Sequence, residues 1–231
     1  MSGTVFIISA PSGSGKTTLT NELLRRVSGL EFSISYTTRP PRGSEKDGRE
    51  YFFVDRAEFE KMLAQDQFLE HADVFGHYYG TARRFLEDAR QRGLDLVLDI
   101  DVQGAKQVKG KVPEAVSIFI LPPSREVLEK RLRDRGEDDS QTIQRRLHGA
   151  RKEIEKYPNY DYILVNDRLD QSTDALIAIV AAERLKRSGG AVSAGAAAEQ
   201  ALAERCLLPN VRDRAQQILD SFAHSASFTQ S

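Results

Sequence analysis

The sequence predicts an α/β fold: a core of parallel strands covered by helices, an inserted small mixed α+β lobe, and a helical lid. Three observations predict it. Apolar runs of strand length, at 5–9, 94–100, 116–121 and 162–165, alternate with stretches of helical period, the pattern of a sheet buried on both faces. Short aromatic and hydroxyl-rich segments from 33 to 81 interrupt that alternation. Arginines cluster at helical spacing between 124 and 156.

The first run, VFIIS at 5–9, is rich in β-branched residues and reads as a buried strand. It leads into Ala10-Pro11-Ser12-Gly13-Ser14-Gly15-Lys16-Thr17-Thr18. Leu19, Leu23 and Val27 then recur at helical spacing, and Gly29 marks a stop. Strand, glycine-rich turn and helix are the context that makes a phosphate loop physical. Gly13 and Gly15 let successive N–H groups turn inward on phosphate oxygens, helped by the positive helix end. Lys16 reaches the β- and γ-phosphates and the Thr17 hydroxyl suits Mg²⁺. The strict pattern begins with Gly where this chain has Ala10, and one methyl fits there if φ stays negative.

Residues 33–37 read as a strand, and Pro40, Pro41, Gly43 and Gly48 force turns after it. A short strand at 51–54 precedes a helix over 57–62 capped by Asp55. FLEHADVFGHYYGT at 68–81 is partly alternating, as in a hairpin. A helix over 83–92 closes at Gly93, and a buried strand at 94–100 follows. Asp99 and Asp101 read as two apart on that strand, both facing one way at its carboxyl end, where open α/β sheets bind ligands. A short helix over 103–109 comes next, then the strand VSIFIL at 116–121.

Pro122 and Pro123 end that strand, Ser124 caps a helix over 125–135, and Gly136 breaks it. Asp138, Asp139 and Ser140 start another helix, with Ile143, Leu147, Ala150 and Ile154 on one stripe and basic side chains elsewhere. The strand at 162–165 leads to Asn166-Asp167 and an amphipathic helix over 170–186. The chain thus divides into a domain at 1–187, with core 1–32 and 82–187, lobe 33–81 and lid about 124–156. A low-complexity linker spans 188–198, and a helical extension spans 199–231. In that extension Pro209 reads as an interruption, Val211, Ala215, Ile218 and Phe222 share a face, and a serine-rich tail follows. It reads as a linker plus surface helix, with a homo-oligomer contact as the alternative.

Composition narrows the partners. The 231 residues carry a formal net charge of −1, so no global field recruits nucleic acid or an anionic membrane. The one cysteine, Cys206, excludes an internal disulfide, and the four histidines, 71, 77, 148 and 224, lack metal-ligand spacing. With no signal-peptide pattern and no apolar run of bilayer length, a soluble cytoplasmic protein is expected.

The remaining motifs bear on which phosphate chemistry. Asp99 is the natural partner of Mg²⁺ or its waters, although one of the two aspartates could serve only to cap the next helix. Arg131 and Arg135 lie four apart on one helix, and Arg145 and Arg146 on the next. Together they could cover a transferring phosphoryl group; the plainer reading pairs them with Glu129, Glu137 and Asp138. Arg39 and Arg42, beside Thr37 and Thr38, make a second anion site, to which Tyr51 and Tyr79 could add hydroxyls or merely pack. Two anion sites imply a donor nucleotide and a phosphorylated acceptor.

These residues carry a resemblance. SAPSGSGKTT at 9–18, SYTTRPPR at 35–42, FLEHADVFGHYYGT at 68–81, LDIDVQG at 98–104, Arg131 to Gly136, and VND at 165–167 make the chain resemble the guanylate kinases, over about 4–186. The resemblance implies phosphorylation of GMP, and of dGMP, by ATP with Mg²⁺. It implies that Arg39, Arg42, Tyr51 and Tyr79 hold the GMP phosphate and that Ser35, Glu70, Thr81 and Asp101 surround guanine. Lys16, Arg131, Arg135 and Arg146 would act on the phosphoryl group, with Asn166 and Asp167 near the ATP base and ribose. Thr81 is a mild departure, at a place where members carry Ser or Thr, and nothing after about 186 is covered. Guanine chemistry agrees, since its N1–H and exocyclic amine suit acceptor-only carboxylates whereas adenine presents an unprotonated N1. A non-catalytic binding module of the same fold is the rival, and such modules lose part of the loop or lid. A kinase for another nucleoside monophosphate is the second.

Overall fold

The structure, a computed structural model, describes residues 3–74, 76–136, 138–189 and 194–223. Glu137, the middle of the expected linker, His224 and the serine-rich tail lie outside the described residues. In chain order the elements are β1 (Val5–Ser9), α1 (Lys16–Arg26), β2 (Leu30–Phe32), β3 (Tyr36–Thr37), β4 (Phe52–Phe53), α2 (Arg56–Ala64), β5 (Phe68–Val74), β6 (His77–Ala82) and α3 (Arg83–Arg92). They continue as β7 (Asp95–Asp99), α4 (Val102–Lys111), β8 (Val116–Leu121), α5 (Arg125–Asp134), α6 (Ser140–Ile154), a 3₁₀ turn (Tyr157–Asn159), β9 (Tyr162–Val165), α7 (Leu169–Ser188), α8 (Ala194–Arg205) and α9 (Leu208–Ser221). A five-stranded sheet has the order β2-β7-β1-β8-β9 and a four-stranded sheet the order β4-β3-β6-β5. The first is parallel and flanked by helices and the second is mixed, which is the predicted architecture. Among the described residues no helix is long and apolar enough to cross a membrane.

The chain forms two compact units. One takes 1–7 and 28–115. In it β2 runs parallel to β7, with Leu30 opposite Asp95 and Phe32 opposite Val97. Gly93 ends α3 in the left-handed region at φ 66, as its place after a basic last turn suggests. The mixed sheet is held by a small aromatic core of Tyr36, Phe59, Met62, Phe68 and Ala82. Phe59 and Phe68 stack with centroids 4.4 Å apart. Helix α2 supplies Phe59 and Met62, and its N-cap Asp55 accepts from the Glu58 N–H at 2.7 Å. The hairpin β5–β6 sets Glu70 opposite Thr81 and Ala72 opposite Tyr79, with a register shift between Phe68 and Glu70. Helix α4 packs on β5, and Gln107 bonds both the N–H and the C=O of His71.

The other unit takes 8–27 and 116–231. Strand β8 is buried along its whole length and pairs with β9. Ser124 caps α5 and Asp139 caps α6, as expected, and Ile143, Leu147, Ala150 and Ile154 are all buried. Helix α1 packs on α7. The C-terminal segment extends pairing along β9: Ile163 N–H donates to Cys206 O at 2.7 Å and Leu208 N–H to Asp161 O at 3.2 Å. Ala215 and Ile218 of α9, with Phe222 beyond it, are buried. The main-chain N–H of Arg125, at the start of α5, donates to Ser221 Oγ at 3.1 Å.

Four expectations need correction. The strand expected at 33–37 is shorter, only Tyr36–Thr37 in the mixed sheet, and an unexpected strand, Leu30–Phe32, precedes it beside β7 in the other sheet. Asp101 is not on β7, which ends at Asp99. It is the N-cap of α4, with Oδ1 accepting from the N–H groups of Gln103 at 3.0 Å and Gly104 at 2.8 Å. Asp101 therefore caps α4 through Oδ1, because two orphan helix donors need an acceptor. Pro209 lies in the first turn of α9 and starts that helix, where its missing N–H costs nothing. Helix α7 is less one-sided than an amphipathic helix: beside the stripe of Ser172, Thr173, Leu176, Ile179 and Val180, the neighbouring Ala175, Ala178 and Ala182 are also buried.

Candidate functional site

Two sets of predicted residues come together, one in each unit. The first is the loop. Ser14 N–H donates to Pro11 O at 3.1 Å, and Gly13 and Gly15 sit at φ 90 and 88. Ala10 is not among the residues of positive φ, so the methyl in place of the usual glycine is accommodated. No side chain caps α1 at Gly15, so the helix N-terminus is offered to an anion.

The loop is seated from below. A Cβ on Gly13 would lie 2.9 Å from Leu128 Cδ1, and one on Gly15 would lie 2.4 Å from Asn166 Nδ2. Asn166 is 5% exposed, and its Nδ2 donates to Ser14 O at 2.8 Å. The main-chain carbonyl oxygen of Asn166 accepts from Arg131 Nη2 at 2.8 Å. Arg131 Nη1 is buried with no partner among the described residues. Burial pulls the Arg131 pKa below its ordinary value, with Asp167 opposing. A buried guanidinium N–H group without an acceptor is expensive unless an anion arrives. Arg135 is the exposed C-cap of α5. Arg146 lies 3.1 Å from Asp138 Oδ2, and Arg145 donates to Thr142 Oγ1. Of the lid arginines, Arg131 alone is joined to the loop's support through these contacts.

The second set lies in the mixed sheet. Glu70 is 5% exposed, and Thr81 Oγ1 donates to its Oε1 at 2.6 Å. Ser35 Oγ lies 3.5 Å from Thr81 Oγ1. Burial raises the Glu70 carboxyl to about 7, against the Thr81 hydrogen bond and with Asp101 adding to the rise. Gly104 makes this approach close: a Cβ there would lie 2.6 Å from Glu70 Oε2. Arg39 is 6% exposed, its Nε donates to Tyr79 OH at 3.3 Å, and its guanidinium lies over the Tyr51 ring. Tyr51 meets Tyr79 edge to face at 5.8 Å. Burial raises the Tyr51 pKa, reinforced by Tyr79 and Asp99. The Arg42 side chain is exposed.

Sequence reasoning missed two participants, Glu45 and Gly104, and the support that Asn166 gives the loop. Glu45 accepts from both terminal nitrogens of Arg39 and from the Arg42 N–H. Gly104 leaves room for Glu70. The Asn166 side-chain amide holds the Ser14 carbonyl of the loop. Glu45, three residues after Arg42, carried a turn signal that could have been read; the other two depend on distant partners.

A sequence profile of the family described as guanylate kinase matches residues 2–183. The guanylate kinase of Koribacter versatilis (strain Ellin345) is 60% identical over 225 residues, covering 96% of this chain and 97% of that protein. The guanylate kinase of Neisseria gonorrhoeae (strain ATCC 700825 / FA 1090) is 54% identical over 186 residues, covering 80% of this chain and 91% of its own. A crystal structure of guanylate kinase from Anaplasma phagocytophilum superposes with a TM-score of 0.66 at 38% identity, over 80% of this chain and 87% of that one.

Proposed function

This chain belongs to the guanylate kinase family, and from that premise we propose how its residues divide the work of an ATP-dependent GMP kinase. The reaction transfers the γ-phosphoryl group of ATP to a phosphate oxygen of GMP: the new P–O bond forms as the bond to the ADP oxygen breaks. The acceptor oxygen is already largely ionised near neutral pH, so no strong general base is required. Catalysis is alignment of two anions plus neutralisation of charge.

The donor side is the loop from Ala10 to Thr18, with Lys16 on the transferring group and Asn166 and Asp167 near the adenine base and ribose of ATP. Arg131, Arg135 and Arg146 complete the charge on closure of a lid at about 124–156. Arg146 would then leave Asp138. The acceptor side is the lobe: Ser35, Glu70, Thr81 and Asp101 for guanine, and Arg39, Arg42, Tyr51 and Tyr79 for the phosphate. The observation that carries this reading is the buried Glu70 carboxylate, poised by one hydroxyl and awaiting donors that guanine supplies and adenine does not. The same residues would accept dGMP, since none is assigned to the ribose 2′-hydroxyl.

The Thr17 hydroxyl and the Asp99 carboxylate are hard oxygen donors that fit Mg²⁺, directly or through water. When bound, Mg²⁺ would neutralise charge on the β- and γ-phosphates.

A coupled assay for ADP tests the assignment. GMP should be turned over far faster than AMP, and equal rates would defeat the guanine pocket. Lys16→Ala should lower kcat by at least about a hundredfold with the melting temperature unchanged. Retained turnover would remove Lys16 from its role.

A further inference from the structure

Glu45 has no place in the roles assigned above, yet it makes more contacts with the phosphate clamp than any residue in it. A guanidinium has five N–H donors in a fixed plane. On Arg39, Nη1 donates to Glu45 Oε2 at 2.9 Å and to Pro40 O at 2.7 Å, and Nη2 donates to Glu45 Oε1 at 3.0 Å. Nε donates to Tyr79 OH at 3.3 Å. Four donors are thus engaged. The two bonds to Glu45 consume the terminal edge, between Nη1 and Nη2. What remains is one Nη2 N–H on the side edge, next to Nε and therefore on the Tyr79 side.

We infer that Glu45 is a positioning residue: it fixes the terminal edge of Arg39 so that the Nε–Nη2 edge faces the phosphate of the acceptor nucleotide beside Tyr79. This rests on the reading of the lobe as the GMP site. The same carboxylate ties the clamp's other arginine into register. Glu45 Oε2 accepts from the Arg42 N–H at 2.7 Å, and Glu45 N–H donates to Arg42 O at 3.0 Å, closing the turn. The Arg39 plane is held further by the Tyr51 and Phe53 rings, 5.4 and 5.9 Å from its central carbon. Arg39 holds the Glu45 carboxyl below its usual range, with the Arg42 N–H adding to this, so Glu45 stays ionised.

The rival is that Glu45 is a stand-in for the phosphate, displaced when GMP binds. A stand-in would take the edge that faces the tyrosine hydroxyls. Glu45 takes the other. The two readings also predict opposite signs. Losing a stand-in removes a competitor and a like charge, so GMP should bind more tightly. Losing a positioning residue frees the guanidinium to rotate, so GMP should bind less tightly.

The experiment is steady-state kinetics of Glu45→Gln and Glu45→Asp in the full chain, with calorimetric titration of GMP and of guanosine, which lacks the phosphate. The expected result for Glu45→Gln is a KM for GMP raised roughly tenfold or more. The KM for ATP and the affinity for guanosine should stay as in the unchanged protein, with kcat within about twofold. Glu45→Asp, which keeps the charge but shortens the reach, should fall between, and it carries the test alone if the Gln variant does not fold. A KM for GMP that is unchanged or lowered overturns the inference, and so does a parallel loss of guanosine affinity, which would mean general damage to the lobe. Arg39→Met separates the two failures. If it leaves GMP affinity intact, the site reading fails; if it weakens GMP while Glu45→Gln does not, only the role of Glu45 fails.

Discussion

At Glu70, burial sets binding against stability. Its carboxyl is raised from the ordinary 4.5 to about 7. Between those values the folded chain keeps a proton that the unfolded chain has lost. The contribution to stability is therefore fully present below about pH 4.5 and is lost as the pH rises through 7. The span corresponds to at most about 3 kcal/mol. Glu70→Gln should raise the melting temperature of the ligand-free protein at pH 8 and leave it nearly unchanged at pH 4.5; an equal shift at both would refute the assignment. The same substitution should raise the KM for GMP, because an amide presents a donor where guanine also donates. In the unchanged protein the KM for GMP should climb as pH falls below about 7, a dependence that Glu70→Gln flattens. Gly104 sharpens the point. Its φ is not positive, and alanine in a helix interior ordinarily gains about 1 kcal/mol over glycine. Here the added methyl would meet Glu70 Oε2 at 2.6 Å, and the Thr81 bond resists the carboxylate's retreat. Gly104→Ala should raise the KM for GMP by about tenfold with the KM for ATP unchanged. Kinetics with each substrate varied in turn would show it, and an unaltered KM would mean Glu70 has slack.

Among the elements, legibility followed locality. The caps at Asp55, Ser124 and Asp139 and the stop at Gly93 lie within four residues of the groups they satisfy, so spacing revealed them. Strand β8 was legible from composition alone because both of its faces are buried. Strand β2 was not, and β3 is shorter than the expected 33–37. Both are short, and their difference lies in partners, β7 for one and β6 for the other. Asp101 misled for a related reason: an extended residue at a helix N-cap continues the look of the strand before it. The candidate site divides the same way. The loop glycines and clamp arginines carry their chemistry in sequence, whereas Asn166 reaches Ser14 across 152 residues and no local signal announces it. That contact makes β9 part of the loop's scaffold. Asn166→Asp would turn a donor into a carboxylate facing the buried Ser14 carbonyl, the reverse of what that oxygen needs. The KM for ATP should rise by about tenfold or more while the KM for GMP holds, and both unchanged would deny the loop this support.

Over the whole molecule, a net charge of −1 coexists with two sites proposed to take phosphorylated ligands. The reconciliation is local: cations are concentrated where phosphate is expected, and carboxylates such as Glu129 and Glu45 balance arginines nearby. The division of the chain also separates the predicted sites, apart from the proposed Mg²⁺ residue Asp99, which falls in the unit containing 28–115. Ser35, Arg39, Tyr51, Glu70, Tyr79, Thr81 and Asp101 all belong to the unit containing 28–115, and the loop, Arg131, Arg146 and Asn166 to the unit containing 8–27 and 116–231. Each ligand should then quiet its own unit, since ordering is paid for where contacts form. Amide hydrogen exchange by mass spectrometry reads this directly. GMP alone should slow exchange in β5, β6 and the start of α4. An ATP analogue alone should slow it at 10–18 and in α5. Slowing beyond these segments is expected only with both ligands present. If GMP alone protected the loop at 10–18 and left β5 and β6 untouched, the acceptor would be seated elsewhere, and the assignment of guanine to Glu70 would fall with it.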